Sequence, residues 1–228
     1  MTATPLPAVV IDTAPSPDAS VIWLHGLGDT GHGWSQAVPE LALPPTLAVR
    51  FLFPHAPSMP VTINQGYVMP AWYDLRAADV NARADLAGVR ASRERIETLI
   101  AAERARGVSA SRIVLAGFSQ GGVIALYAGV RHAERLAGIV GLSTYVVDPA
   151  SLQTEASSAN RDVPIFMAHG TEDPVIRFEW AETSRRALEA AGWKVEWHSY
   201  RMEHGATQDE MRKAGAFIVR VLAAASSR

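Results

Sequence analysis

Short apolar runs separated by longer amphipathic stretches set the rhythm of this chain. Residues 8–11, 21–24 and 47–53 are rich in β-branched or apolar side chains and have strand length, and 113–116, 136–142, 163–168 and 195–200 repeat the pattern. Near-continuous apolar runs such as 136–142 predict strands buried on both faces. Between them lie helical stretches. In 85–106, Leu86, Val89, Ile96, Leu99 and Ile100 recur near helical period, Arg93, Glu94 and Glu97 are expected to face water, and Gly107 follows as a C-cap. Further helices are expected over 121–132, 179–191 and 208–224. The alternation predicts an α/β fold, with a mostly parallel central sheet and helices on both faces. Two segments break it. Residues 148–162 form a polar connection rich in Ser and Ala, whereas 54–74 carry Pro, Met, Tyr and Trp without clear periodicity and are expected to form a substrate-facing loop.

The 228 residues are enough for a substantial core, and no internal repeat or linker divides them, so one domain spanning 1–228 is expected. A formal charge of −2, with Arg residues interspersed among acids, gives no long-range attraction for a phosphate backbone. Nucleic acid is therefore not an expected partner. The sequence contains no Cys, which excludes disulfides, thiolate metal sites and cysteine catalysis. No apolar run reaches membrane-spanning length, so integral membrane association is not expected, and residues 1–17 lack a basic stretch followed by an apolar core. A cytoplasmic location is the expectation.

The chemistry starts at Gly117-Phe118-Ser119-Gln120-Gly121, a G-x-S-x-G pattern with a predicted strand before it and a predicted helix after it. Such a turn lifts the Ser119 hydroxyl toward substrate, and the flanking glycines remove side chains that would collide with strand and helix. The following helix aims N–H groups and positive dipole at the place where an oxyanion forms. A bare capping turn is the bland alternative, disfavoured by the strand-turn-helix context.

A nucleophilic serine needs a base and the base an orienting carboxylate, which follow the elbow in the order acid, then His. Asp173, in the turn Gly170-Thr171-Glu172-Asp173-Pro174 just past a predicted strand, is the candidate acid, with Glu172 as substitute. His204, past the last predicted strand, is the candidate base. Among rivals, His198 lies inside a strand, His169 precedes the acid, and His132 ends a helix; Asp148 and Asp162 lie in the polar connection, and Asp209 reads as a first-turn helix acid. One oxyanion donor is the Gln120 amide, and the second is expected from the loop after strand 21–24, where four glycines fall within 25–34. That loop lacks the lysine and spacing of a phosphate-binding loop, and His25 and His32 have no partner motif suggesting metal.

Together, His25-Gly-Leu-Gly-Asp-Thr-Gly-His-Gly-Trp34, Ala56-Pro57 with Pro60-Val61-Thr62, Pro70-Ala-Trp-Tyr-Asp74, Gly117-Phe-Ser-Gln-Gly-Gly122, Leu142-Ser143-Thr144, His169-Gly170 with Asp173-Pro174-Val175, and His204 resemble the phospholipase/carboxylesterase family of α/β hydrolases. That family includes bacterial carboxylesterases and the acyl-protein thioesterases, also described as lysophospholipases. The resemblance covers nearly the whole chain. It implies the α/β-hydrolase fold, a Ser119, Asp173, His204 triad, the amides of Leu27 and Gln120 as oxyanion donors, and no cofactor. One departure is Tyr145-Val146-Val147-Asp148-Pro149, where family members often have Leu-Pro, and this makes Tyr145 a candidate for the acyl-pocket wall. Glu203 beside the base is another departure.

The expected reaction is hydrolysis of a small or lipid-like carboxylic ester through an acyl-enzyme. Acyl-protein thioesterase or lysophospholipase activity is the second reading, and a noncatalytic binding module or a metal-dependent hydrolase stands further off. Met59, Ile63, Tyr67, Met69 and Trp72 of the irregular loop are the expected apolar contacts for substrate. Apolar residues of that loop and of the last helix are equally candidates for a homodimer interface.

Overall fold

In the computed structural model, residues 5–77 and 84–226 are described, so the start of the 1–17 segment, residues 1–4, lies outside them. Nine strands are present among these residues: β1 (Ala8–Asp12), β2 (Ala19–Leu24), β3 (Val49–Pro54), β4 (Ser58–Val61), β5 (Tyr67–Pro70), β6 (Ile113–Phe118), β7 (Gly138–Leu142), β8 (Ile165–Gly170) and β9 (Val195–Tyr200). Seven of them form the main sheet in the order β1-β3-β2-β6-β7-β8-β9. All neighbours in it run parallel except β1, which pairs antiparallel with β3 at the edge. The α-helices among the described residues are α1 (Gly31–Ser35), α2 (Leu86–Ala105), α3 (Gln120–Gly129), α4 (Leu152–Glu155), α5 (Phe178–Ala190) and α6 (Gln208–Ser226). None of the described helices is long and apolar enough to cross a membrane.

Alternation along each strand sends side chains to opposite faces, and the two sets build two cores. Ile22, Leu24, Leu115, Ile139 and Ile165 pack toward Ile96 and Leu99 of α2, Val123 and Ile124 of α3, and Leu188 of α5. Their neighbours Val21, Trp23, Val114, Val140 and Phe166 pack with Phe217, Ile218 and Leu222 of α6. This explains why β2, β6 and β7 read as unbroken apolar runs: both faces of each are covered. It also commits the apolar stripe of α6, including Phe217, Ile218 and Leu222, to the interior.

The structure departs from the sequence reading at several places. Residues 54–74 are not an irregular loop but contain an antiparallel hairpin, with Met59 opposite Met69 and Val61 opposite Tyr67. Each strand has only four residues and each contains a proline, so neither period nor propensity marks it. Gln65 and Gly66 turn the hairpin with φ of 57° and 78°. In α2, Leu86 is 38 % exposed rather than buried, because it borders an apolar cleft shared with Val146, Val147 and Trp180. Arg93 and Glu97 are partly buried instead of solvated: Glu97 accepts from Nδ1 of His132 at 2.6 Å, and Arg93 donates to the Arg131 carbonyl. His132 itself lies beyond α3, which ends at Gly129.

The start of α6 carries reciprocal caps. Thr207 Oγ1 accepts from the Glu210 amide at 3.2 Å, and Glu210 Oε2 accepts from the Thr207 amide at 3.3 Å. Glu210 is fully buried, and burial pushes its carboxyl up to about 7. The unfolded chain ionises at the lower, ordinary value, so stability present in mild acid falls as pH rises through neutrality. Glu210→Gln keeps an acceptor for Thr207 and removes the ionisation. Its stability relative to the wild type is expected to improve between about pH 5 and pH 8 by up to about 3 kcal/mol, measured by chemical denaturation at each pH. Parallel pH profiles for the two proteins would refute a buried, titrating carboxyl.

Candidate active site

Chain order and sheet order diverge between β2 and β6: after β2 the chain adds β3 on one side, and only later returns to place β6 on the other. In open parallel sheets such a switch point leaves a crevice at the carboxyl ends of the strands. The two strands pair with Leu24 opposite Gly117, so the loop after β2 and the turn after β6 leave the sheet side by side.

Ser119 occupies that turn with φ 54° and ψ −122°, a backbone conformation unfavourable for any residue with a Cβ. Its surroundings hold it there. The Ser119 amide donates to the Leu142 carbonyl at 2.9 Å, and its carbonyl accepts from Thr144 Oγ1 at 2.8 Å and the Val123 amide at 3.2 Å. The flanking glycines are required by contact: a Cβ on Gly117 would lie 2.4 Å from the backbone of Gly121, and one on Gly121 would lie 2.3 Å from the Leu24 carbonyl oxygen.

His204 reaches the serine from the loop after β9, with Nε2 2.9 Å from Ser119 Oγ and Nδ1 2.7 Å from Asp173 Oδ2. Asp173 Oδ1 accepts from the amides of Val175 at 2.8 Å and Ile176 at 2.9 Å. Burial pushes the Asp173 carboxyl up, but the hydrogen bonds from His204, Ile176 and Val175 outweigh it and hold the group below its ordinary value. A carboxylate that only accepts makes His204 Nδ1 the donor, which leaves the Nε2 lone pair facing the serine hydroxyl. The imidazole lies against Phe118, with ring centroids 4.8 Å apart, and Phe118 in turn meets Trp34. The loop carrying His204 is tied down by Ser143 Oγ, which donates to the Gly205 carbonyl at 3.0 Å. It also crosses so close to Gly170 that a Cβ there would lie 2.3 Å from the Met202 carbonyl oxygen.

The rivals are occupied elsewhere. Glu172 is exposed and pairs with Arg201 at 2.8 Å. His169 is buried, donates from Nε2 to the Ile176 carbonyl at 2.8 Å, and so braces the turn that carries Asp173. His198 sits on β9 beside Glu196, Asp162 pairs with Arg135, and Asp209 pairs with Lys213. Asp148 occupies a left-handed turn, and Glu203 is exposed.

The Gln120 amide lies at the first position of α3, where a helix supplies no carbonyl partner. Across from it runs the loop after β2: a Cβ on Gly26 would lie 3.5 Å from Ser119 Cβ, and Leu27 follows immediately. Gly28, at φ 78°, donates to the Pro70 carbonyl at 2.8 Å and joins this loop to the hairpin.

The substrate contacts expected from sequence divide. Met59 and Met69 are partly buried against the core, and Ile63 and Tyr67 are 38 % and 69 % exposed on the hairpin. Trp72 and Tyr145, in contrast, are withdrawn from any surface. Trp72 is fully buried and donates its indole N–H to the His25 carbonyl at 2.8 Å, and Tyr145 is buried with its hydroxyl 3.3 Å from that of Tyr73. The sequence reading also passed over the Gln120 side chain, which accepts from the Trp72 amide at 2.8 Å and donates to the Tyr73 carbonyl at 2.7 Å. Its place inside the G-x-S-x-G pattern was the available signal. Among the described residues no three His, Asp or Glu side chains come together as a metal-ligand set.

A serine on a strained strand-turn-helix elbow, at the carboxyl edge of a mostly parallel sheet, with an acid and a histidine from later loops, defines an α/β hydrolase. Sequence comparison carries this to a family: a family model described as phospholipase/carboxylesterase matches residues 6–222, and the chain belongs to that family of hydrolases. Among relatives, acyl-protein thioesterase 1 of Yarrowia lipolytica is 44 % identical over 200 residues, covering 86 % of this chain and 88 % of its own. Acyl-protein thioesterase 1 of Neurospora crassa is 39 % identical over 214 residues, covering 90 % and 87 %. The crystal structure of Zea mays acyl-protein thioesterase 2 superposes with a TM-score of 0.85 at 29 % identity, covering 95 % of this chain and 99 % of that one.

Two buried imidazoles here are held in opposite tautomers. His25 Nε2 accepts from the Ala56 amide and Nδ1 faces the Gly26 carbonyl, whereas His169 faces a carbonyl with Nε2. Burial pushes both below the ordinary imidazole value. Long-range ¹H–¹⁵N spectra at neutral pH are expected to show both rings uncharged, His25 with its proton on Nδ1 and His169 on Nε2. A shared tautomer or a charged ring would contradict this packing.

Proposed function

We propose that this protein is a single-domain serine thioesterase that transfers the acyl group of a thioester to Ser119 and then to water. The observation that carries the reading is the unbroken line of hydrogen bonds from Asp173 through His204 to Ser119, at 2.7 and 2.9 Å. His204 Nε2 takes the hydroxyl proton as Ser119 Oγ attacks the carbonyl carbon, and the tetrahedral oxyanion receives the N–H groups of Leu27 and Gln120. Collapse breaks the carbon–sulfur bond, and the proton on His204 passes to the leaving thiolate. Water then gives a proton to the same nitrogen and attacks the acyl-enzyme; as the bond between the acyl carbon and Ser119 Oγ breaks, His204 returns that proton to Oγ, releasing the carboxylic acid and restoring the serine. Asp173 remains ionised and holds the imidazole in the working tautomer.

The choice of thioester is supported by the names of the relatives, and oxygen-ester hydrolysis by the same residues is the second reading, favoured by the family description. The apolar hairpin residues Met59, Ile63, Tyr67 and Met69 are suited to a lipid-like acyl group, as is the cleft edged by Leu86, Val146, Val147 and Trp180. The departure after Leu142-Ser143 thus contributes Val146 and Val147 to a wall, rather than Tyr145. A cytoplasmic setting belongs to the same reading, supported by the absence of Cys.

The test compares thioesters and oxygen esters of matched acyl chains across a range of lengths. Ser119→Ala is expected to lose at least roughly 10³-fold in kcat, and Asp173→Asn about 10⁴-fold with little change in KM. Equal turnover by the wild type and Ser119→Ala would sink the mechanism. Wild-type silence toward all esters and thioesters, with no labelling of Ser119 by a fluorophosphonate, would favour a binding module instead.

A further inference from the structure

We infer that the side chain of His25 is a positioning residue: by holding the Gly26 carbonyl, it aims the Leu27 N–H at the oxyanion. The inference rests on the serine-hydrolase reading above. His25 follows the end of β2 and enters the glycine-rich loop, and it is fully buried. The Ala56 amide donates to Nε2 at 3.1 Å, so that nitrogen carries the lone pair and Nδ1 carries the proton. Nδ1–H therefore donates to the Gly26 carbonyl oxygen, 2.7 Å away.

The Gly26 carbonyl and the Leu27 N–H belong to one planar peptide unit, which is trans here, so they point in opposite directions. Fixing the oxygen on the His25 side fixes the N–H on the other. Among the described residues the Leu27 amide has no backbone acceptor, and this peptide runs beside Ser119, with a Gly26 Cβ position 3.5 Å from Ser119 Cβ. Gly26 offers no Cβ to resist rotation of that peptide, so the hold comes from the donors to its carbonyl, the His25 ring at 2.7 Å and the longer bond from the Asp29 amide at 3.3 Å. A flipped peptide would present a carbonyl lone pair where the oxyanion needs a donor. His25 is itself anchored, since its own carbonyl accepts the Trp72 indole N–H at 2.8 Å and the two rings meet at 5.2 Å.

Two substitutions separate the ring's functions. His25→Asn can place an amide N–H near the position of Nδ1 but offers Ala56 no acceptor, whereas His25→Gln can place an oxygen near Nε2 but offers Gly26 no donor. With a thioester substrate, kcat of His25→Gln is expected to fall roughly 10- to 100-fold and that of His25→Asn by far less, because an oxyanion donor acts in the transition state. KM and the acid limb of the pH profile should barely move in either. Affinity for a trifluoromethyl ketone of matched acyl length should fall in step with kcat. Wild-type kcat in His25→Gln, or equal losses in the two variants at equal thermal stability, would overturn the inference.

If either variant fails to fold, the wild type still decides. An oxyanion on the Leu27 N–H polarises the shared peptide and strengthens its carbonyl as acceptor. The Leu27 amide proton and the His25 Nδ1 proton should therefore both move downfield on ketone binding, and an unmoved His25 proton would overturn the inference. Ser119→Ala serves as the control: loss of activity there with wild-type behaviour in His25→Gln defeats only the positioning role, whereas full activity in Ser119→Ala defeats the hydrolase reading itself.

Discussion

The backbone of Ser119, at φ 54° and ψ −122°, is the constraint around which the rest of the molecule is arranged. A conformation of this kind costs on the order of 1–3 kcal/mol and persists only where its surroundings over-determine it. Here strand β6 arrives from one side and helix α3 leaves on the other, with two glycines removing the atoms that would collide. Leu142 and Thr144, from the end of the neighbouring strand and the turn after it, hold the serine's amide and carbonyl. The result is a hydroxyl raised above the sheet and a helix N-terminus beneath it.

Three further loops converge on that point because three further strands end there. The loop after β2 brings Gly26 and Leu27 beside the serine, the turn after β8 brings Asp173, and the loop after β9 brings His204. Each arrives with its own brace: His25 and Pro70 for the first, His169 for the second, Ser143 and Gly170 for the third. These braces are buried polar contacts, in which a partner lost leaves an unsatisfied group costing about 1–3 kcal/mol. They make the geometry at the sheet's edge rigid without adding atoms to the reaction.

Electrostatics follow the same division. Burial pushes the Asp173 carboxyl up, but the hydrogen bonds it accepts hold it below its ordinary value, whereas burial leaves the His25 and His169 imidazoles below theirs, even with His169 Nε2 3.4 Å from the Asp173 carboxylate.

The sequence by itself determined the alternation of strands and helices, the elbow, and the pairing of Asp173 and His204 with Ser119, because each leaves a local signature: a period, a glycine spacing, or an order along the chain. The family motifs added the hydrolase class. Other features had no such signature. The four-residue strands of the hairpin, interrupted by prolines, became strands only through pairing with each other. Trp72 and Tyr145 looked like substrate contacts because apolar residues near a site and beneath it are written in the same letters, and only packing buried them. Helix α6 likewise packs its apolar face on the sheet. The hydrogen bond from His25 to the Gly26 carbonyl depends on which ring nitrogen carries the proton, and that is set by the Ala56 amide, 31 residues further along the chain, which no local pattern announces.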